Sequence, residues 1–179
     1  EEKLFYVQKP FHPHEIRQMA LALGRSKWSV ENRFRQLAHY DSLTGLPNRT
    51  LFLDRMNQTI ASARRHNRKA GILFIDLDNF KRINDSLGHS FGDEILKITA
   101  DRLRHCARAC DAVMGPLREV SAARLGGDEF TILLAEIDAA ENCAIVAQRI
   151  LQAFVEPMCL EDDEVIMTPS IGIATFPDD

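Results

Sequence analysis

Several absences narrow this sequence before any motif is read. No apolar run approaches the roughly 18 residues that a membrane-spanning helix needs, so the chain shows no membrane segment. The four cysteines (Cys106, Cys110, Cys143 and Cys159) form no CxxC pair and have no histidine at zinc-ligand spacing. That pattern speaks against a metal or disulfide framework and for buried thiols in a reducing cytosol. Positive charge is in the minority, 22 bases against 26 acids, and the net charge of −4 leaves no electrostatic footprint for a nucleic acid. A Walker-type GxxxxGK[ST] loop is missing, as are internal repeats and low-complexity tracts. No signal peptide is visible, and a first residue of Glu1 rather than Met reads as a segment cut from a longer protein.

What is there is ordinary globular material. At 179 residues, 45% hydrophobic and 27% charged, the chain suits one domain with an appendage. Residues 4–8 read as a short strand ending at Lys9-Pro10, and a helix with a broken apolar stripe is expected up to His39. The stretch "DSLTGLPNR" (41–49) is rich in turn formers. A helix is expected over 48–66, with Leu51, Phe52, Met56, Ile60 and Ala63 on one face and cations near its end. "AGILFIDLD" (70–78) is a continuous apolar run, expected to be a central strand covered on both sides. Further helices are expected over 91–108 and 139–156, and paired strands in "AARL" and "FTILLAEI". The segment 164–176 adds strand, with Pro169 at a bulge or edge. The order β-α-β-β-α-β behind a leading helix predicts an α+β fold. A mostly antiparallel central sheet is flanked by helices, as in a ferredoxin-like palm, and an amino-terminal helical stalk precedes it.

Two acidic clusters carry the chemistry. In "LGGDEF" (125–130) a predicted hairpin places Asp128 and Glu129 side by side at its tip, where like charges repel unless a cation sits there. In "FIDLDNFKRIND" (74–85) Asp76 and Asp78 lie at the end of the central strand and share a face, because side chains alternate along a strand. If these strands pair, Asp76 meets Asp128 and Glu129. Carboxylates with a backbone carbonyl suit Mg²⁺ or Mn²⁺, ions that also hold nucleotide phosphates. Gly126 and Gly127 either make a plain turn or let a ligand approach the backbone.

At these residues the chain resembles the GGDEF family, the diguanylate cyclases. "HYDSLTGLPNR", "FIDLDNFKRINDSLGHSFGDEIL", "ARLGGDEF" and "PSIGIATFPDD" all fit, in order, over residues 40–179. The resemblance implies condensation of two GTP molecules into cyclic di-GMP and pyrophosphate by a cytoplasmic homodimer. It implies that Asp76 and the Leu77 carbonyl bind Mg²⁺ or Mn²⁺, with Asp128 or Glu129 completing the site and acting on the ribose hydroxyl. Spacing does not separate those two roles. Asn84 and Asp93 would read guanine, Lys81 would meet phosphate, and Gly126-Gly127 would lie against the nucleotide.

The chain departs from the family in two places. An RxxD site that binds the product is represented by Arg108 and Asp111, but fourteen residues, Ala112 to Leu125, separate it from the glycines. The excess, around "MGPLREVSA", reads as an inserted loop. The family also continues past the position of Asp179 into a helix carrying a Lys and an Arg for the triphosphate, which implies weakened catalysis by this stretch alone. Residues 1–39 resemble the end of a response-regulator receiver domain, with Lys9 as its phosphate-sensing lysine and a signalling helix after it. The ending from Glu156 onward resembles versions that precede EAL phosphodiesterase domains, so a silent nucleotide-binding regulatory module is the alternative to an enzyme.

Overall fold

Strand alternation, one helix-covered face and a second face covered in part build the frame. The computed structural model describes residues 36–114, 120–160 and 163–179, with backbone alone over 109–114. The chain divides into Glu1–Ala38 and His39–Asp179. In the second unit the elements run α1 (Arg49–His66), β1 (Lys69–Leu77), α2 (Phe80–Leu87), α3 (His89–Met114), β2 (Val120–Gly126) and β3 (Glu129–Ile137). They continue with α4 (Glu141–Ala153), β4 (Met158–Leu160), β5 (Asp163–Val165) and β6 (Pro169–Phe176). The receiver-like strand, Lys9 and the stalk up to residue 35 lie outside the described residues.

The main sheet has the order β2-β3-β1-β6, with every neighbouring pair antiparallel. β4 and β5 form a separate small hairpin. Pro169 is the first residue of an edge strand, a position where its missing N–H costs no ladder bond. Inward residues of β1 and β3, among them Leu73, Ile75, Phe130, Ile132 and Leu134, pack with Ile95, Leu103, Val146 and Ile150 from α3 and α4. A smaller cluster of Phe52, Ala123 and Leu133 forms where α1 crosses the other face.

The run 70–78 was expected to be covered on both sides, and it is not. Leu73, Ile75 and Leu77 are buried, whereas Phe74 is 48% exposed and Asp76 faces solvent. The apolar run resembles a strand of a parallel sheet, but this sheet is antiparallel, and α1 contacts only part of the second face. The helix expected over 91–108 also runs further, to Met114. Its extension, "ACDAVM", is rich in alanine and meets no proline before Pro116, so part of the apparent loop insertion is helix. Cys106 and Cys143 are buried as expected, but Cys159 is exposed, because it occupies the outward position of the short strand β4. The side chain of Cys110 lies outside the described residues.

Candidate functional site

The site grows from one end of the sheet. β1 and β3 pair so that Asp76 stands opposite Glu129, and on its other side β6 sets Ser170 opposite Asp76. Opposed residues of an antiparallel pair stand about 4.5–5.5 Å apart at Cα and point to the same face. Asp128 precedes Glu129 in the turn of the β2–β3 hairpin. The two acidic clusters, 52 positions apart in the sequence, therefore share one strand end. Beside them a shallow trough of about 370 Å³ is lined by Phe74, Asp76, Glu129, Ser170 and Gly172. A wider groove of about 990 Å³ between α3 and α4 contains Asp101, but Arg104 binds that carboxylate, so no cluster of unshielded acids arises there.

Electrostatics marks Asp76. Burial and then the repulsion of Asp128, Glu129 and Asp78 push its carboxyl above the usual range. A cation between these groups relieves that repulsion. Asp78 behaves in the opposite way. It accepts hydrogen bonds from Ser170 Oγ and Thr168 Oγ1, both at 2.7 Å, and these hold its carboxyl below the ordinary value. Its backbone N–H also donates to the Thr168 carbonyl at 2.9 Å, so Asp78 fastens the end of β1 to β6. Among the described residues no three His, Cys, Asp or Glu side chains converge as a closed metal cage. The open set of Asp76, Glu129 or Asp128 and a strand-end carbonyl fits Mg²⁺ better than a cage would. That ion keeps waters and takes one or two carboxylates together with substrate phosphates. The Leu77 side chain is buried in the core, and its backbone stands at the strand end opposite Pro169.

The hairpin tip is held from below. Gly126 and Gly127 have φ of 146° and 53°, and an added Cβ at either would meet nothing within 4 Å. Backbone conformation, then, is what requires glycine here. Arg124 donates from Nε and Nη2 to the Gly127 carbonyl at 3.0 and 2.7 Å and from Nη1 to Asp41 Oδ1 at 3.0 Å. The same Asp41 oxygen accepts from the N–H and hydroxyl of Thr44, at 2.8 and 2.6 Å. Burial alone raises the Asp41 carboxyl, yet the bonds from Thr44 and Arg124 outweigh it and hold the group low. The turn-rich stretch before α1 is therefore a bracket for the hairpin that carries Asp128 and Glu129.

The remaining predicted residues follow β1 directly. Asn79, in the left-handed region at φ 60°, reverses the chain into α2, where Lys81 is exposed on the first turn and Asn84 is half-buried. Gly88, at φ 88°, turns α2 into α3, which carries the exposed Asp93 near its start. Arg108 is also exposed on α3, but fifteen residues further on, about 22 Å along the axis at 1.5 Å per residue. The side chain of Asp111 lies outside the described residues. Sequence reasoning missed Asp41, Arg124, Thr168 and Ser170. The partners that tie them together lie 83 to 92 positions away, so no local spacing reveals them.

Comparison with known proteins identifies the family. Residues 38–179 match the model of the family described as "Diguanylate cyclase, GGDEF domain". The cyclic di-GMP phosphodiesterase NbdA of Pseudomonas aeruginosa is 42% identical over 145 residues, 81% of this chain and 17% of that protein. The diguanylate cyclase TpbB of the same organism is 41% identical over 142 residues, covering 79% of this chain and 31% of that one. The chain thus spans less than a third of the length of these relatives. The solved GGDEF domain of TpbB superposes with a TM-score of 0.69 at 39% identity, over 78% of this chain and 77% of that one. The coiled coil and GGDEF domain of DgcB from Caulobacter crescentus, solved with c-di-GMP, gives 0.74 at 25% identity, over 90% and 81%. The chain belongs to the GGDEF domain family.

Proposed function

We propose that this domain joins two GTP molecules into cyclic di-GMP, working in the cytoplasm as a homodimer in which each protomer holds one GTP. Each ribose 3′ oxygen forms a bond to the α-phosphorus of the other GTP, the bond from that phosphorus to the bridging oxygen breaks, and two pyrophosphates leave. Asp76, the Leu77 carbonyl and Glu129 hold Mg²⁺ or Mn²⁺, and Asp128 takes the hydroxyl proton; Glu129 and Asp128 are interchangeable in this scheme. The bound ion supplies Lewis-acid stabilisation of phosphate charge. Lys81 meets a phosphate as a cation on the first turn of α2. A carboxylate at Asp93 accepts from the two donors of guanine's N1 and 2-amino groups, and Asn84 serves the remaining edge with an amide. Gly126 and Gly127 let the nucleotide lie on the hairpin backbone. Arg108 and Asp111, three apart on α3, form the site where product binds back.

The pairing of Asp76 with Glu129 carries this reading. Its test is product formation from GTP and Mg²⁺, followed by chromatography, for the wild-type chain, D76N and E129Q. Each variant removes a charge without changing shape, and synthesis should fall by about a hundredfold or more. Wild-type rates in D76N would end the proposal. A second reading, a nucleotide-binding module that regulates an attached phosphodiesterase domain, has support from the likeness to NbdA. A dimeric chain that binds GTP or cyclic di-GMP and makes no product would favour it.

A further inference from the structure

We propose that Gly92 is a specificity-positioning residue: the empty space where its Cβ would stand is what seats the Asn84 carboxamide against α3. The inference rests on the reading of Asn84 as a guanine contact. Gly92 is buried on the second turn of α3, with backbone dihedrals that any residue adopts in a helix. An ideal Cβ placed on it would lie 1.9 Å from Asn84 Oδ1, 2.9 Å from Asn84 Cγ and 3.2 Å from Phe80 Cζ. Asn84 therefore occupies the volume that a side chain at position 92 would claim. The next residue is Asp93, so the contact lies on the same turn of α3 as the carboxylate that is to read the same base.

The group in the way is the free end of a half-buried side chain rather than backbone. Adding a methyl group thus displaces the amide first, with the Phe80 ring giving way only slightly. Alanine is moreover the better helix former, so G92A has a propensity gain to set against the crowding. A glycine whose task was only helix packing has no reason to alter which base is preferred. One that seats Asn84 does.

The test is calorimetric binding of GTP, inosine triphosphate and ATP, with Mg²⁺, to the full chain as wild type, G92A, N84A and the double variant. G92A should melt within a few degrees of wild type and lose about tenfold in GTP affinity, a loss of one well-placed hydrogen bond. ATP binding should change little, so the preference for guanine collapses. In the N84A background the methyl group no longer has an amide to displace, and G92A should add no further loss. Retained wild-type preference in G92A, or an additive second loss in the double variant, overturns the proposal. Failure of G92A to fold overturns it too, since the displaced group would then not be a free-ended side chain. A wild-type chain that binds GTP and ATP alike, or N84A that keeps the preference, instead brings down the underlying reading of Asn84.

Discussion

Arg124 and Asp41 show how residues outside the acidic cluster hold the hairpin that carries it. Arg124 has a side chain only 10% exposed and Asp41 one of 22%, and together they tie the carbonyl of Gly127 to the turn ahead of α1. Hydrogen bonds to charged groups contribute about 1.5–3 kcal/mol each, and breaking one partner of a shielded pair leaves the other unmatched. Asp41→Ala should therefore cost about 2–3 kcal/mol of stability near neutral pH, read from urea unfolding. The pH dependence has a definite sign. The folded carboxyl lies below its ordinary value of 3.8, so Asp41 contributes its stability above that value and loses it as pH falls through the lower, folded one. The gap between wild type and D41A should then be flat from neutral down to about pH 5 and close progressively below about pH 4. A gap that widens on acidification would contradict the assignment. Arg124→Ala should slow product synthesis more than it weakens GTP binding, because it frees the tip that carries Asp128 and Glu129. Equal kcat in R124A and wild type would detach the bracket from the chemistry.

At the scale of elements, close approach decides as much as hydrophobic pattern. Gly71 of β1 lies under α4, where a Cβ would fall 2.2 Å from Cys143 Sγ and 3.3 Å from Ile137 Cδ1. Burial pushes the Cys143 thiol up, so it stays a neutral apolar filler. Gly71→Ala should destabilise by about 1–3 kcal/mol through overpacking, and C143A should recover most of that loss in the double variant. Independent, additive losses in denaturant titrations would show that α4 does not rest on Gly71. The apolar run of β1 made the central strand legible, and the extent of α1 was legible from its apolar face and basic last turn, although its caps, Asn48 and the left-handed Asn67, were not. That one face of β1 is only partly covered was not legible, because an apolar run cannot tell a parallel neighbour from an antiparallel one. The short α2 was also hidden: eight residues give too few turns for a helical period to stand out. In the candidate site, strand alternation put Asp76 and Asp78 on one face, and their meeting with "LGGDEF" was legible only on the condition that the two strands pair. The hydroxyls of Thr168 and Ser170 were not legible, since they meet Asp78 only once β6 folds against β1.

For the whole molecule, symmetry makes the sharpest demand. Cyclic di-GMP contains two identical phosphodiester bonds, and this domain carries one Asp76–Glu129 pairing and one glycine tip. Under the proposed function a single protomer would present half of the apparatus, and a two-fold axis would have to bring a second half to face it, as closed dimers do. Two GTPs held in line by separate protomers also gain the large advantage of oriented reactants only while those protomers are associated. The initial rate of product synthesis should consequently rise with about the second power of protein concentration while the chain is monomeric. It should become proportional to concentration once sedimentation shows dimer. D76N protein mixed into wild type below saturation should depress the rate per wild-type protomer, because mixed dimers carry one disabled half. A rate strictly proportional to concentration across the monomeric range, with no effect of added D76N, would mean that one protomer closes both bonds. That outcome would refute the paired half-site mechanism while leaving the acidic strand end as the site of GTP and metal binding.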